Sequence, residues 1–258
     1  VALVVVVAWA SHQARAPAAQ VATATPAAPG TNQAVMLGPA TPGNATSQVV
    51  VPLGDTRGAT ISLNAGTGDL RVGALPADNA NLARADADLS DGEQLIKKSS
   101  TVDGKTELTL NAEGSTGFFW PFGRQQHHED SLAVSLTPKV PLTLQTNLGA
   151  GNSELDLTNL SVQTLDVNRG GGGETIVHLP SGAGTTRANV RIGAGDLTLV
   201  VPPDVGAYLH TSKGLVSVDL PAGRFTTVSD GYQSANYATA ANQVDVYLQM
   251  GVGHVDVQ

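Results

Sequence analysis

Alternation of apolar and polar positions dominates the chain from about residue 48 onward. Residues Ile61-Ser62-Leu63-Asn64-Ala65-Gly66-Thr67-Gly68-Asp69-Leu70-Arg71-Val72 show the recurring unit: an alternating run, a Gly-x-Gly, and a second alternating run. A period of two puts one set of side chains in a core and the other in water, so each arm reads as a half-buried strand. The glycine pair between the arms predicts a sharp corner, at backbone angles other residues avoid. The unit returns over residues 144–157, 165–179, 190–200, 209–220 and 246–257. Its second glycines, Gly151, Gly173, Gly195, Gly214 and Gly253, are separated by 22, 22, 19 and 39 residues. The long last step fits one full coil plus an inserted loop over residues 225–242. Pro180, Pro202 and Pro221 each close a unit, where a missing N–H breaks no central ladder.

Self-similarity at this period is the mark of a solenoid, in which each coil buries its neighbour's face. The expected fold class is therefore all-β: a β-solenoid of about 20–22 residues per coil. Its structural corners are assigned to Gly66, Gly68, Gly149, Gly151, Gly171, Gly173, Gly193, Gly195, Gly214, Gly251 and Gly253. Residues 76–140 are less regular than 141–258. They still alternate in places, and Val102-Asp103-Gly104-Lys105 reads as a hairpin turn. This stretch is expected to be antiparallel decoration that covers the N-terminal edge of the stack.

Two further segments precede this domain of residues 48–258. Residues 1–10, VALVVVVAWA, are continuously apolar. They are too short to cross a bilayer, which needs about 20 residues. They fit the end of a membrane helix or a signal-peptide core, and either reading puts the remainder outside the cytoplasm. Residues 11–47 are rich in Ala, Pro and Thr with no apolar periodicity, which predicts an extended, partly disordered linker.

Composition removes several classes of function. A net charge of -8 with scattered basic residues argues against nucleic-acid partners. With no cysteine there can be no disulfide, thiol nucleophile or cysteine zinc site. The run Gly170-Gly171-Gly172-Gly173 is followed by another alternating strand, not the helix a nucleotide loop needs, so no cofactor is expected. His127-His128-Glu129-Asp130 holds metal-ligand types, yet four successive residues seldom chelate one ion, and a solvated loop is the simpler reading. Asp69, Glu174 and Asp196 follow corner glycines and read as solvated turn acids, with a weak calcium site or a catalytic carboxylate pair as the alternatives. No serine, histidine and aspartate share a recognisable hydrolase spacing.

Phe118, Phe119, Trp120 and Phe122 crowd into one glycine-flanked loop. Such a cluster either caps the open end of a solenoid or forms a contact surface for a membrane or partner. Gln258 leaves little cap on the last coil, so a second copy could stack there.

The Gly149-Ala150-Gly151 corner leading to Leu155-Asp156-Leu157, the Gly193-Ala194-Gly195 corner leading to Leu199-Val200-Val201-Pro202, and the Gly251-Val252-Gly253 ending carry a resemblance. Over residues 55–258 the chain resembles the toastrack, or putative-adhesin, β-solenoid family, similar to the C-terminal domain of LiaF-type envelope-stress regulators. The resemblance implies a non-enzymatic, extracytoplasmic bacterial domain, membrane-anchored or secreted, that works by adhesion, stress sensing or contact with an envelope or cell-surface partner. It also implies right-handed coils. LiaF-type regulators carry several membrane helices ahead of this domain, and this chain shows only one apolar remnant. The alternative is a polysaccharide-binding or polysaccharide-active solenoid. A groove lined by Tyr208, Tyr232, Tyr237 and Tyr247 would favour that alternative, and an even Thr/Ser/Asn face would oppose it.

Overall fold

The computed structural model describes residues 33–35, 45–90, 93–114, 130–211 and 215–258, and every regular element among them is a β-strand. In chain order these are β1 (Gln33–Val35), β2 (Ala45–Pro52), β3 (Gly58–Thr67), β4 (Asp69–Ala74), β5 (Asn81–Leu89) and β6 (Glu93–Val102). Then follow β7 (Lys105–Gly114), β8 (Ser131–Leu136), β9 (Leu142–Ala150), β10 (Ser153–Asp156), β11 (Val162–Arg169) and β12 (Glu174–His178). The remainder are β13 (Thr185–Val200), β14 (Val205–Thr211), β15 (Leu215–Asp219), β16 (Phe225–Val228), β17 (Gly231–Ser234) and β18 (Asn242–Val257).

Pairing arranges them as two faces that meet at the glycine corners. On face A the order is β1-β6-β7-β3-β9-β11-β13-β18-β14-β17-β16. On face B it is β2-β5-β8-β4-β10-β12-β13-β18-β15. From β7 to β14 on face A, and from β8 to β15 on face B, all pairs are parallel, as stacked coils require. β13 and β18 each turn the corner without interruption and so belong to both faces.

Inward positions stack coil on coil. The row Leu108, Ile61, Leu144, Leu165, Ala188, Val246 and Leu209 is in register across face A and almost wholly buried. Val134, Val72, Leu155, Val177, Leu199 and Val257 form its counterpart on face B. Both rows belong to one apolar core. Each fully buried Leu, Val or Ile contributes about 1.5–3 kcal/mol. Aliphatic rows of this kind, with no need for aromatic bulk, explain why a chain with 4% aromatic residues has a core.

The corners demand glycine for two reasons, both visible at Gly151. Its φ of 120° is a conformation L side chains avoid. A Cβ there would lie 2.0 Å from the Gly68 carbonyl oxygen of the next coil. At Gly149 the angle is ordinary, but a Cβ would lie 2.2 Å from Gly66 O. Backbones therefore approach more closely at the corner than anything with a side chain allows.

Several sequence expectations are met. Asp103 and Gly104 adopt φ 51° and 75° and join β6 to β7 in a primed hairpin. Within residues 76–140, β5 and β6 are the antiparallel decoration, joined by β2 from the preceding stretch, whereas β7 and β8 also pair parallel to β3 and β4 in the stack. The stretch 225–242 contains an inserted hairpin, β16 and β17, that pairs antiparallel to β14.

Two features differ from the expected picture. β1 and the start of β2 fall within the stretch read as a linker. More consequentially, the C-terminal coil is not at the end of the stack. β18 pairs with β13 on one side and with β14 and β15 on the other. The coil at that end of the stack is β14 with β15, so β18 itself presents no uncovered edge. Residues 1–10, the aromatic loop Phe118, Phe119, Trp120 and Phe122, the cluster from His127 to Glu129, and Gly214 lie outside the described residues. Among the described residues no helix is long and apolar enough to cross a membrane.

Candidate functional site

The register of face A turns repeated sequence into aligned rows of outward side chains. Two residues before each first corner glycine stands a polar side chain: Asn64, Asn147, Asn168, Arg191 and Gln249. Parallel pairing brings these side by side, with Asn111 of β7 at one end. Asn168 donates to Asn147 at 3.1 Å, Asn147 to Asn64 at 2.7 Å, and Asn64 to Asn111 at 2.7 Å. The result is an amide ladder across the coils.

Beside the ladder, the side-chain-free corners Gly66, Gly149, Gly170, Gly193 and Gly251 leave a trough. Ladder and trough together line an open groove of about 1010 Å³, large enough for an extended ligand. Among the described residues no carboxylate lines it; its polar side chains are amides and two arginines, Arg169 and Arg191.

Arg169 is the one ionisable side chain among the buried described residues, at 4% exposure. It occupies the inward position held by Leu148, Ile192 and Met250 in neighbouring coils. The corner that follows it, Gly170 to Gly173, is one residue longer than Gly149-Ala150-Gly151 or Gly193-Ala194-Gly195. The guanidinium is held by carbonyls of this corner and of the corners on either side. Arg169 donates to Gly173 O at 2.6 Å, Gly151 O at 3.3 Å and Ala194 O at 3.4 Å. Its Nε has no hydrogen-bond partner. Burial pushes its proton affinity down, while the charges of Asp196 and Glu174 oppose that shift.

Farther from the corner, face A is a grid of Thr60, Ser62, Thr143, Gln145, Thr164 and their neighbours, ending in an aromatic column at β18 and β14. Tyr208 stacks on His210 at 3.9 Å, His210 on Tyr247 at 4.4 Å, and the Arg187 guanidinium lies 4.4 Å over Tyr247. Asp230, in the β16–β17 turn, bonds the Tyr208 hydroxyl and His210 Nδ1 (2.8 Å for the latter). These two bonds, Tyr208 first, hold the Asp230 carboxyl below its usual range. Tyr237 meets Tyr208 edge-on at 5.6 Å, and burial with a bond to Asp245 pushes its hydroxyl up to about 12. The ring faces are spent on one another, so the column fastens the inserted hairpin and does not line the groove. The even polar face and the separate tyrosine column both count against an aromatic sugar platform.

The acids expected at the corners lie on face B. Asp69, Asn152, Glu174, Asp196, His254 and Ser217 form its corner row. Among the described residues no group of three or more His, Asp or Glu could hold a metal ion.

One constellation escaped sequence reasoning. Ser217 Oγ lies 2.8 Å from His254 Nδ1, and Asp219 lies 3.5 Å from His254 Nε2. Only the β15–β18 pairing, which periodicity does not encode, unites them. They stand on the exposed outer side of face B, at its edge strand β15. The ladder at the groove, by contrast, had a signal: an amide, or at Arg191 a guanidinium, two residues before each Gly-x-Gly corner or its longer counterpart at 170–173.

The match to a family model, the N-terminal domain of toast_rack, spans residues 40–200, more than half of the chain. Among curated proteins none matches. The crystal structure of a Clostridium sporogenes protein described as a "putative cell adhesion protein" shares the fold at TM-score 0.70 and 18% identity, covering 83% of this chain and 99% of its own. A Bacteroides fragilis protein described as a "putative adhesin" aligns over 84% of this chain and 99% of its own, at 11% identity. Its TM-score of 0.31 is too low to carry an argument. The chain, an all-β solenoid with stacked glycine corners, belongs to the toast-rack family.

Proposed function

We propose that the chain is a non-enzymatic binding module of the adhesion type, acting at the cell surface with the outer side of face A as its contact surface. The observation that carries this reading is the groove itself: an open trough of about 1010 Å³ flanked by register-locked amides. A surface assembled from aligned coils offers many weak, identical contacts in fixed geometry, and that suits adhesion better than turnover. The open setting of Ser217, His254 and Asp219 agrees with a non-enzymatic role. The adhesion description of the Clostridium sporogenes protein that shares the fold points the same way. The apolar segment at residues 1–10 fits export or tethering outside the cytoplasm.

The test is binding of fluorescently labelled full-length chain to intact bacterial cells. Saturable binding is expected, together with its loss in Gly66→Trp. Gly66 has an ordinary backbone angle and nothing within 4 Å of an added Cβ, so the indole fills the trough without disturbing the coil. Binding that Gly66→Trp leaves intact would refute the groove as the contact surface. Binding abolished by protease treatment of the cells would identify an envelope protein as the partner.

A further inference from the structure

We propose that the groove on face A binds an anionic, hydroxyl-rich linear polymer, a carboxylated or phosphorylated glycan, laid across the coils along the stack. The inference rests on the adhesion reading above and names the chemistry of its ligand.

Four observations carry it. First, the polar side chains of the groove can all donate N–H: Asn64, Asn147, Asn168, Arg191 and Gln249, with Asn111 at the end. No carboxylate lies among them. Second, this absence is local. The whole chain carries a net charge of -8, and just across the corner face B presents Asp69, Glu154, Glu174, Asp196 and Asp219. Acids do stand farther along face A, Asp166 bonded by Asn189 and Asp245 by Tyr237, so among the described residues it is the groove and not the whole face that is free of carboxylates. Third, Arg169 lines the groove from beneath with its Nε unpartnered at 4% exposure. Its buried charge adds positive potential under the trough, and Arg191 in the next coil adds an exposed guanidinium. The Arg191 guanidinium can recognise carboxylate or phosphate by paired hydrogen bonds, while Arg169, whose terminal nitrogens already bond backbone carbonyls, adds charge alone.

Fourth, the ladder repeats. Each amide nitrogen carries two N–H groups. Asn64, Asn147 and Asn168 each give one to the ladder, which leaves one for a ligand. These donors recur at the coil spacing of about 4.8 Å. A polymer lying along the stack thus meets the same donor at every coil, and its hydroxyl and ring oxygens can accept from it. The glycine floor lets the polymer approach the backbone, which a compact anion would not require. The Tyr208, His210 and Tyr247 faces are closed by mutual stacking, so affinity here comes from donors and charge, not from ring stacking.

The experiment is affinity electrophoresis of the full-length chain in gels cast with polygalacturonate, with deacylated poly(glycerol phosphate), or with neutral galactan. Retardation is expected in at least one anionic gel and absent in the neutral one. The gel that retards the chain decides between carboxylate and phosphodiester. Arg191→Glu should weaken the interaction at least tenfold and Gly66→Trp should abolish it. Asp219→Asn on face B should change nothing, and circular dichroism should show each variant folded. Equal retardation by galactan, no retardation by either polyanion, or full binding by Arg191→Glu would overturn the proposal. If the polyanion gels fail while cell binding remains sensitive to Gly66→Trp, the ligand class is wrong and the adhesion reading stands. If cell binding itself is absent, the adhesion reading falls with it.

Discussion

Replacing Gly151 by alanine should be among the most damaging small changes available to this chain. The added Cβ would sit 2.0 Å from Gly68 O, 2.8 Å from Gly68 C and 3.0 Å from Gly68 N, all of them backbone atoms of the adjoining coil. Contacts under 3.0 Å are essentially never made by real Cβ atoms, so the coils must part by about 1 Å. The ladder bond across that gap is already 3.1 Å (Gly68 N to Ala150 O), and such a displacement breaks it. Its loss costs about 1 kcal/mol. Holding a side chain at φ 120° adds about 1–3 kcal/mol. The expected total is about 2–4 kcal/mol, a large share of the 5–15 kcal/mol typical of a domain. Gly66→Ala is the matched control: its Cβ meets open space at an ordinary φ, so it should stabilise by about 0.4–1 kcal/mol through the unfolded state. Urea unfolding followed by far-ultraviolet circular dichroism measures both. Midpoints for the two variants that coincide, or a loss under about 1 kcal/mol for Gly151→Ala, would refute the claim that close backbone approach is what demands glycine at the corner.

Two further predictions concern buried charge. Arg169→Ala strips Gly173 O of its 2.6 Å donor and opens a cavity, for an expected loss of about 2–4 kcal/mol. Arg169→Leu, matching Leu148 in the neighbouring coil, keeps the volume and should lose clearly less; equal thermal midpoints for the two would show that packing contributes little there. Burial and the neighbouring Asp130 carboxylate push Glu93 up to about 7 from 4.5, so the folded state holds a proton that the unfolded state has released. The associated stability is fully present below about 4.5 and is lost as pH rises through about 7. Wild type should therefore gain more than Glu93→Gln when urea midpoints are compared at acidic and mildly alkaline pH, and parallel profiles would sink the assignment.

Local regularities of the fold were legible because each is enforced by a local rule. Ile61 and Leu63 alternate with Ser62 and Asn64 because a strand has two sides, and Asp103-Gly104 turns because both residues must take positive φ. The order of coils was not legible. Any two alternating strands are acceptable parallel neighbours, and periodicity carries no record of which pairs with which. A clue existed in length: β13 and β18 are both 16 residues and both run unbroken through the corner, whereas β14 and β15 are separate strands. For the groove, a polar residue at a fixed offset from the corner was a readable signal for Asn64, Asn147 and Asn168, but the ladder they form was not expected. The charge of Arg169 gave no warning, since its place in the alternation is apolar; the guanidinium fits because Gly195 of the next coil has no side chain, where a Cβ would lie 2.1 Å from Arg169 Nη2. Ser217, Asp219 and His254 were invisible for the same reason as the coil order: they meet only through β18.

That insertion of β18 has a consequence for how the molecule comes into being. During synthesis or export, residues 205–219 emerge before residues 242–257, yet they rest on them rather than on β13. When β14 and β15 first appear, the surface they need does not exist. β13 meanwhile offers a long open edge on both faces, a site for mispairing with another chain. A growing stack therefore cannot advance coil by coil in sequence order; it must wait, then close in one cooperative event that seats β18 between β13 and the β14–β15 coil. Loss of the C-terminal residues 242–257 would not trim this solenoid. It would remove a rung from the interior and leave β13 with no strand pairing to the β14–β15 coil.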